Sequence, residues 1–515
     1  MMRVAIIGAG PKGLFAAERL GAHLQQRGAE ARITVFDPQP PGWGAGYRPD
    51  QPDWLRLNVN AAIVTADGRG SGRPSLGLPA FHTWRRERGE RDPLDPFPPR
   101  ALVGRYLADC WHELPGHLPA GVVLDHVARR VHQLTRSPHG WLIEGRCYDE
   151  VVLCTGHADD WPGALVHRWR GPQPLVPRVY PVERWLSRDQ VPAGCAVACR
   201  GAALTFIDAA LSLTQGRGGR FTQAGYQRSG DEPATIIPVG RRGAFLQVKP
   251  APEGPLSALD LALPRARGLA RCAASPAGVG TVLRAVWRTA QDYLVAAGVQ
   301  DATLPAPGEP LPADPDPVVA LRRSLQVALG KRAPGPAWAL GQAWRDLYPA
   351  IVGVLGHDGC PEADWPRFAA AAALLEPLAF GPPPVNAAKL LALCEAGVID
   401  ARYLSGPWPD ALRAADVAID CVLPPPGLVE GQWPAQLCEA GVLVRGLGRR
   451  GVAVAADASC LGSDGTPIRG LAALGRLTED VVIGNDTLSR TLHPDADRWA
   501  DRVALAATAR VGVTR

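Results

Sequence analysis

The first forty residues leave few folds open. Val4-Ala5-Ile6-Ile7 is a short apolar run; Gly8-Ala9-Gly10-Pro11-Lys12-Gly13 comes after it and leads into Leu14-Phe15-Ala16-Ala17-Glu18-Arg19-Leu20. The run reads as a buried parallel strand and the residues after the glycines as the start of a helix. In such a G-x-G-x-x-G turn each glycine has its own task. Gly8 makes the tight turn, Gly10 lets the backbone approach a pyrophosphate, and Gly13 lets helix and strand pack closely. The phosphates then meet the free N–H groups at the positive end of the helix. A second strand, Ile33-Thr34-Val35-Phe36, ends in Asp37, 24 residues after Gly13, where a carboxylate accepts hydrogen bonds from a ribose 2′-hydroxyl. We expect a βαβ unit that holds an adenine dinucleotide through Gly8, Gly10, Pro11, Lys12, Gly13 and Asp37. The carboxylate would repel a 2′-phosphate, which leaves FAD or NAD.

The next segment favours FAD. Pro41-Gly42-Trp43-Gly44-Ala45-Gly46-Tyr47 is a second glycine-rich loop, directly after the acidic residue. A flavin extends past the ribose and needs backbone near it, so Gly44 joins the candidates, whereas an NAD site usually continues into a crossover helix. Asn58, in Leu57-Asn58-Val59-Asn60, is either a hydrogen-bond donor at the flavin edge or substrate, or plain turn chemistry. Val151-Val152-Leu153-Cys154-Thr155-Gly156 is an apolar strand ending in small residues, of the kind that closes a first nucleotide-binding unit and lets Thr155 and Gly156 pass close to the cofactor.

A second, altered copy comes later. The run Cys195-Ala196-Val197-Ala198-Cys199 leads into Arg200-Gly201-Ala202-Ala203-Leu204-Thr205 and a helix through Leu213. The pattern is G-x-G-x-T with Ala203 in place of the second glycine, which adds a methyl group without forbidding the turn. Gly201 and Thr205 are candidates for NADPH or NADH; the alternative is a βα unit kept only for packing. Arg241 or Arg242, in Gly240-Arg241-Arg242-Gly243, can clamp a 2′-phosphate with a guanidinium fork; the alternative is a solvated loop. Residues 251–380 read as a helical insertion or cap, with Trp287, Trp338, Trp344, Tyr348 and Trp365 as its core. Asp416 to Val422 reads as a strand returning to the second sheet. Gly484-Asn485-Asp486-Thr487 suits a helix N-cap set against the flavin, which adds Asn485 and Asp486; a C-terminal helix should begin near Asp495.

Composition excludes several classes. With 46% hydrophobic and 20% charged residues the chain is globular, and 57 Gly with 51 Pro imply many turns. Only Lys12, Lys249, Lys331 and Lys389 are lysines among 55 basic residues, an arginine bias suggesting a GC-rich genome rather than phosphate binding. The net charge of +5 is mild, and the densest basic cluster, Arg85 to Arg91, is broken by Glu87 and Glu90, so no nucleic-acid partner is expected. The eleven Cys contain no CxxC, and Cys195 and Cys199 should face one side of their strand as small buried hydrophobes. There is no metal spacing and no Ser/His/Asp nucleophile set; His157 and His493 stand alone. The N-terminal apolar run is too short for a signal peptide and no run reaches a membrane span, so a cytoplasmic protein without a membrane partner is expected. No side chain declares itself catalytic; the chemistry belongs to the cofactor.

Taken together, these motifs make the chain resemble the bacterial FAD-NAD(P)-binding family, a branch of the two-dinucleotide-domain flavoproteins that includes the flavin monooxygenases making nitrosuccinate from aspartate. The resemblance runs through Gly8–Gly13, Gly42–Tyr47 with Leu57-Asn58-Val59, Pro99-Arg100 with Gly104-Arg105-Tyr106-Leu107, Thr155-Gly156-His157 and Gly201–Asp208. Its family-specific blocks are Gly216-Arg217-Gly218-Gly219-Arg220-Phe221 and Ser229-Gly230-Asp231-Glu232-Pro233. It implies FAD on Gly8, Gly10, Gly13 and Asp37, and a nicotinamide nucleotide at Gly201 and Thr205, where Ala203 departs from the pattern. The expected fold is α/β: two Rossmann-like dinucleotide-binding domains in a glutathione-reductase-like flavoprotein architecture, with a helical insertion. Residues 1–165 and 441–515 would form the FAD-binding domain, 166–250 and 381–440 the NAD(P)-binding-like domain. The expected activity is an NAD(P)H-dependent monooxygenase that uses O2 to hydroxylate a small molecule, an amino acid or amine at nitrogen being the concrete version. The rivals are a flavin oxidase or dehydrogenase reduced by its own substrate, favoured by Ala203, and a non-catalytic flavin-binding partner.

Overall fold

The computed structural model describes the chain except for residues 69–72, 91, 93, 158, 159, 275, 300–302, 310, 312, 313, 514 and 515; Arg91 of the basic cluster therefore lies outside the described residues. Strand β1 (Met2–Ile7) is buried on both faces apart from Arg3. Alternation along it feeds two cores. Val4 and Ile6 pack with Leu14, Leu20 and Leu24 of helix α1 (Pro11–Arg27), while Ala5 and Ile7 pack on the opposite side of the sheet. Strand β2 (Ala31–Phe36) runs parallel to β1 with Val4 opposite Ile33 and Ile6 opposite Val35. A long connection holding α2 (Phe81–Glu87) and α3 (Arg100–His117) leads to β3 (Val122–Val127), and an antiparallel meander comes next: β4 (Thr135–Ser137), β5 (Gly140–Ile143) and β6 (Arg146–Tyr148). Strand β7 (Glu150–Leu153) then returns parallel to β1.

The second unit is smaller. It begins with β8 (Leu175–Val176), α4 (Val182–Trp185), β9 (Ala196–Arg200) and α5 (Leu204–Leu213). A hairpin of β10 (Arg220–Thr222) and β11 (Gly225–Gln227) precedes β12 (Thr235–Val239). Cys199 is buried in this unit's core and Cys195, half-buried, packs against the same cluster. The chain then enters α6 (Ala262–Cys272), α7 (Val279–Ala296), α8 (Pro317–Ala328), α9 (Pro336–Leu355) and α10 (Trp365–Ala379). Trp338, Trp344, Tyr293 and Phe368 form the heart of this helical insertion. Helix α8 does not belong to it alone: Leu321 and Leu325 lie in the second unit's core and only Val327 reaches the insertion's.

Helices α11 (Pro384–Glu395) and α12 (Trp408–Arg413) bring the chain back to β13 (Val417–Asp420), giving a parallel sheet in the order β12-β9-β13-β8. After Pro424-Pro425-Pro426, α13 (Trp433–Glu439) leads to β14 (Ser459–Leu461) and β15 (Pro467–Ala473), which complete the first sheet as β14-β15-β7-β1-β2-β3. Leu428, Leu437 and Leu443 pack with Ile7 and Val151, so the return to the first unit lies near residue 427 rather than at 441. The sequence pattern hid this because the triple proline resembles an internal loop as much as a boundary. The chain is thus α/β, with two parallel-sheet units of Rossmann type and a helical insertion. No single helix among the described residues is long and apolar enough to cross a membrane.

Helix α14 (Asp495–Val513) closes the structure on α1, with Trp499 and Val503 fully buried. Glu150, at the start of β7, is buried and accepts hydrogen bonds from Trp499 Nε1 at 3.0 Å and from Arg502 at 2.8 and 3.2 Å. Truncating it strands a buried indole N–H and leaves the Arg502 guanidinium with Asp457 alone. Glu150→Ala should lower the unfolding free energy by about 2 kcal/mol, read as a shifted urea midpoint; an unchanged midpoint would show that apolar packing alone holds α14.

Candidate functional site

The turn after β1 is fixed from three sides. Gly8 has φ +105°, and a Cβ there would sit 2.3 Å from the Cys154 carbonyl oxygen; a Cβ on Gly13 would sit 2.0 Å from the Gly8 oxygen. Any side chain at either position separates β1, β7 and α1. Gly8 N–H donates to the Phe36 carbonyl at 2.8 Å and Cys154 N–H to the Ile7 carbonyl at 2.7 Å. Gly10 is the N-cap of α1 and offers no side-chain cap, so the first N–H groups of the helix remain available to an anion. The Asp37 carboxylate accepts from Ala9 N–H at 2.8 Å and Gln39 N–H at 2.9 Å, which aims it across the turn with lone pairs to spare. The glycine loop lies against this turn: Gly42 N–H donates to the Ala9 carbonyl at 2.7 Å, and a Cβ on Gly10 would lie 3.3 Å from the Gly44 Cα.

The second turn repeats the backbone pattern of the first. Gly201, at φ +111°, donates its N–H to the Val239 carbonyl at 2.8 Å, and Cys421 N–H donates to the Arg200 carbonyl at 3.0 Å. Ala203, the N-cap of α5, has φ −94° and ψ −159°, close to the φ −71° and ψ −168° of Gly10. Extended backbone of this kind suits alanine, so the substitution brings no strain, only a methyl group. The counterpart of Asp37, the residue after the neighbouring strand, is Gly240, with Arg241 and Arg242 next in the chain. A carboxylate is replaced there by two cations. The ends of β9 and β13 are joined by a bidentate ion pair, Arg200 to Asp420 at 2.8 and 3.0 Å.

Both units open on one cavity of about 1250 Å³, larger than the usual pocket for a single drug-sized ligand. Gly8, Gly10, Pro11, Lys12, Asp37 and Gly44 line one arm; Thr155, Gly156 and His157 lie beside them. Tyr47, Asn58, Asn485 and Asp486 line it too, and Leu204, Thr205, Asp208 and Asn386 line it from the second unit. The arrangement fits an extended dinucleotide: uncapped helix N–H groups for its phosphates, a carboxylate for its ribose, and glycine backbone where bulk is not tolerated.

The charged groups around the cavity are held by specific partners. Lys12 donates to the Thr487 carbonyl at 2.9 Å, and burial pushes its ammonium down to about 8. Burial also pushes the Tyr47 phenol up to about 12 and the His157 imidazole down to about 3, the latter with help from Arg476, so both are neutral at pH 7. Asp208 on α5 accepts from Arg100 of the first unit and from Tyr180, and Trp54 Nε1 donates to Ser212 Oγ at 3.0 Å. These contacts fix the second unit against the first. Lys249 donates to the Asn58 carbonyl, and burial, then Arg345, bring it down to about 7.

Not every expected residue reaches the cavity. Gly13 acts in packing behind it. Gly201 and Arg241 do not line it; Arg241 is exposed at the end of β12, beside the second turn. Gly484 to Ser489 start no helix: the segment is a loop, and α14 begins only at Asp495. Asn485 is buried and donates to Glu479 at 2.7 Å and to the Val482 carbonyl at 3.1 Å, so it braces the loop instead of capping a helix. The blocks around Arg217 and Glu232 also lie off the cavity. Arg217 donates to the carbonyls of Leu186, Val191 and Asp231, and Glu232 accepts from Tyr226, Ser229 and Gly230. Against the effect of burial, these bonds hold the Glu232 carboxyl down to about 2. Asp208 stood in a motif without a stated role, and Tyr180 and Asn386 carried no local signal.

Gly10→Val should abolish flavin retention, because the branched side chain enters the gap against Gly44; a variant that purifies yellow would remove the first turn from the cofactor site. Ala203→Gly should leave nicotinamide-nucleotide affinity equal or up to about threefold better, since it removes one methyl group and adds chain entropy. Titration calorimetry on the FAD-loaded protein reads this, and a clear loss would mark the turn as structural.

Similarity to known proteins runs through the same residues. Residues 5–158 match the family described as FAD-NAD(P)-binding. The chain is 32% identical over 269 residues to nitrosuccinic acid synthase of Aspergillus oryzae, covering 48% of this chain and 41% of that protein. It is 30% identical over 297 residues to the nitrosuccinate-forming L-aspartate N-monooxygenase of Streptomyces cremeus, covering 47% and 42%. The matches thus span about two fifths of the length of these relatives. Among solved structures, L-lysine 6-monooxygenase from Pseudomonas syringae aligns over 99% of both chains at 12% identity and a TM-score of 0.48. Residues 5–158 are thus similar to the FAD-NAD(P)-binding family, and about half of the chain is similar to proteins named as nitrosuccinate-forming L-aspartate N-monooxygenase or nitrosuccinic acid synthase.

Proposed function

We propose that the protein is an NAD(P)H-dependent FAD monooxygenase that hydroxylates the nitrogen of a small amine or amino acid with O2. The observation that carries this reading is one cavity that runs from the first turn to Leu204 and Thr205, at the start of the helix whose N-cap repeats the backbone geometry of Gly10. The similarity to aspartate N-monooxygenases supplies the reaction class and makes L-aspartate the first substrate to try. In this reading Gly8, Gly10, Pro11, Lys12, Asp37 and Gly44 hold FAD with Thr155, Gly156 and Asp486. Gly201, Thr205 and Arg241 hold the nicotinamide nucleotide. Gly240 in place of Asp37, with Arg241 and Arg242 next in the chain, favours NADPH over NADH.

Bound FAD supplies the redox chemistry and the activation of O2. The chain's part is to orient and to exclude water. Tyr47 and His157 stay neutral beside the cavity, and a low-dielectric surrounding favours the uncharged amine that N-hydroxylation requires. Arg100, through Asp208, fixes α5 and with it the second turn. We place the reaction in the cytoplasm, where NADPH is supplied and eleven free cysteines stay reduced. The oxidase reading rested on Ala203, and the unstrained backbone there leaves it without support.

The test is a visible spectrum of the FAD-supplemented protein before and after anaerobic NADPH, and then aerobic turnover with L-aspartate and a panel of amines under labelled O2. Flavin should bleach, and label should enter an N-hydroxy or nitro product. Bound flavin that is bleached by an amine or amino acid without NADPH would overturn the monooxygenase reading.

A further inference from the structure

An arginine on the cavity wall stands apart from its neighbours. Arg48, Arg56, Arg100 and Arg129 also line the cavity, and each pairs with an acidic side chain: Asp50, Asp95, Asp208 and Glu144. Arg476 is half-buried on the same wall and forms no ion pair among the described residues; its guanidinium donates to the Pro424 carbonyl at 3.4 Å. Asp486 and Glu479 attract it from farther away, and Glu479 is already held by Arg450 and Asn485. A guanidinium drawn partly out of water with most of its N–H groups unmet is costly unless an anion comes to it.

Its place in the sheet narrows what that anion is. The first sheet runs β15-β7-β1-β2 across its centre. Asp37 follows β2, the glycine turn follows β1, Thr155 and His157 follow β7, and Arg476 stands just past the end of β15. Arg476 is close enough to His157 to disfavour its protonation, and the Pro424 carbonyl it meets belongs to the crossing between the two units. In the proposed reading the ribose of FAD lies at β2 and its phosphates at β1, so the cofactor extends across β7 toward β15 with its flavin end, which carries no phosphate. The phosphates of the nicotinamide nucleotide belong to the turn after β9, in the other sheet. The anion that remains for Arg476 is one carried by the substrate.

We propose that the substrate carries a carboxylate beside its amine and that Arg476 receives this carboxylate. A guanidinium offers parallel N–H groups to both oxygens of the acid and keeps its charge at every working pH. A simple alkylamine leaves those N–H groups unmet and, when protonated, brings a second cation beside the first. The cavity therefore selects amino acids over amines that lack the acid. This inference rests on the monooxygenase reading given above.

The test measures anion binding at the oxidised flavin, without turnover. FAD-loaded wild type, Arg476→Gln and Arg476→Lys are titrated at constant ionic strength with acetate, succinate and benzoate, and with the matching neutral amides. Flavin difference spectra and titration calorimetry give the dissociation constants. In wild type at least one acid should bind about tenfold or more tighter than its amide, the worth of a hydrogen bond between charged partners. Arg476→Gln should keep its flavin and bring that ratio close to one, and Arg476→Lys should keep part of it. A wild type without preference for any acid, or a preference that survives in Arg476→Gln, overturns the inference. Loss of flavin in both variants overturns it too and assigns Arg476 to the cofactor. Simple amines hydroxylated as fast as the matching amino acids overturn it while leaving the proposed function standing. A flavin that NADPH does not bleach, with or without an amino acid present, removes the proposed function and with it the substrate role of Arg476.

Discussion

The exclusion of side chains at the end of β1 governs the rest of the molecule. With the Cys154 oxygen 2.3 Å from any Cβ on Gly8, and the Gly8 oxygen 2.0 Å from any Cβ on Gly13, strand, helix and the neighbouring β7 meet in contact of backbone with backbone. That closeness does two things at once. It places the uncapped start of α1 at the carboxyl ends of the parallel strands, where open α/β sheets bind ligands. It also lets apolar residues on alternate positions of β1 fill two separate cores, so the sheet is covered on both sides and the turn has a rigid base. The glycines serve the ligand because they first serve the packing.

The second unit shows which parts of that device are essential. The positive-φ glycine and the pair of hydrogen bonds around it recur at Gly201, and the extended N-cap recurs as Ala203. The tight contact does not: a Cβ on Gly201 would still lie 3.2 Å from the Cys421 oxygen, and the position of the third glycine is taken by Phe206, buried and stacked on Phe245 at 6.4 Å. A looser turn still aims its helix at the cavity, provided something else fixes its orientation. Asp208 held by Arg100 and Tyr180, with Trp54 on Ser212, does so. Mostly buried ion pairs of this kind add little net stability but reward one geometry over its neighbours, which is what two halves of a shared cavity require.

How much of this was legible in the chain depends on how local each feature is. Strand, glycine turn, helix, second strand and Asp37 are set by contacts within forty residues, and the second turn is set in the same way, so both could be read directly. Features that depend on tertiary packing could not. Helix α8 carries an ordinary amphipathic pattern, and nothing in it says that Leu321 faces the second unit while Val327 faces the insertion. Gly484-Asn485-Asp486-Thr487 has the residue types of a helix cap, yet Asn485 spends its amide on Glu479 and Val482, because the chain must turn once more before α14 docks on α1. The blocks around Arg217 and Glu232, expected to carry the resemblance, brace the β10–β11 hairpin away from the cavity.

Substrate specificity must lie outside the two turns. In the proposed reading the glycine turns hold phosphates and ribose, groups common to every dinucleotide enzyme, and cannot distinguish one amine from another. The middle of the cavity is instead walled by segments far apart in the chain: Tyr47 and Asn58 from the first unit, Asn386 from the return to the second, and Asp486 from the C-terminal loop. The two ends of the insertion contribute from behind, through Lys249 just before it, on the Asn58 carbonyl, and the Phe380 ring at its close, 5.7 Å from that ammonium. No short motif can encode such a wall, since its members meet only once both units and the insertion have packed. The division of labour is then physical: local sequence sets the cofactor arms, and long-range packing sets the chamber between them, where a small number of unpaired polar groups in an apolar surround has the greatest leverage on what is bound.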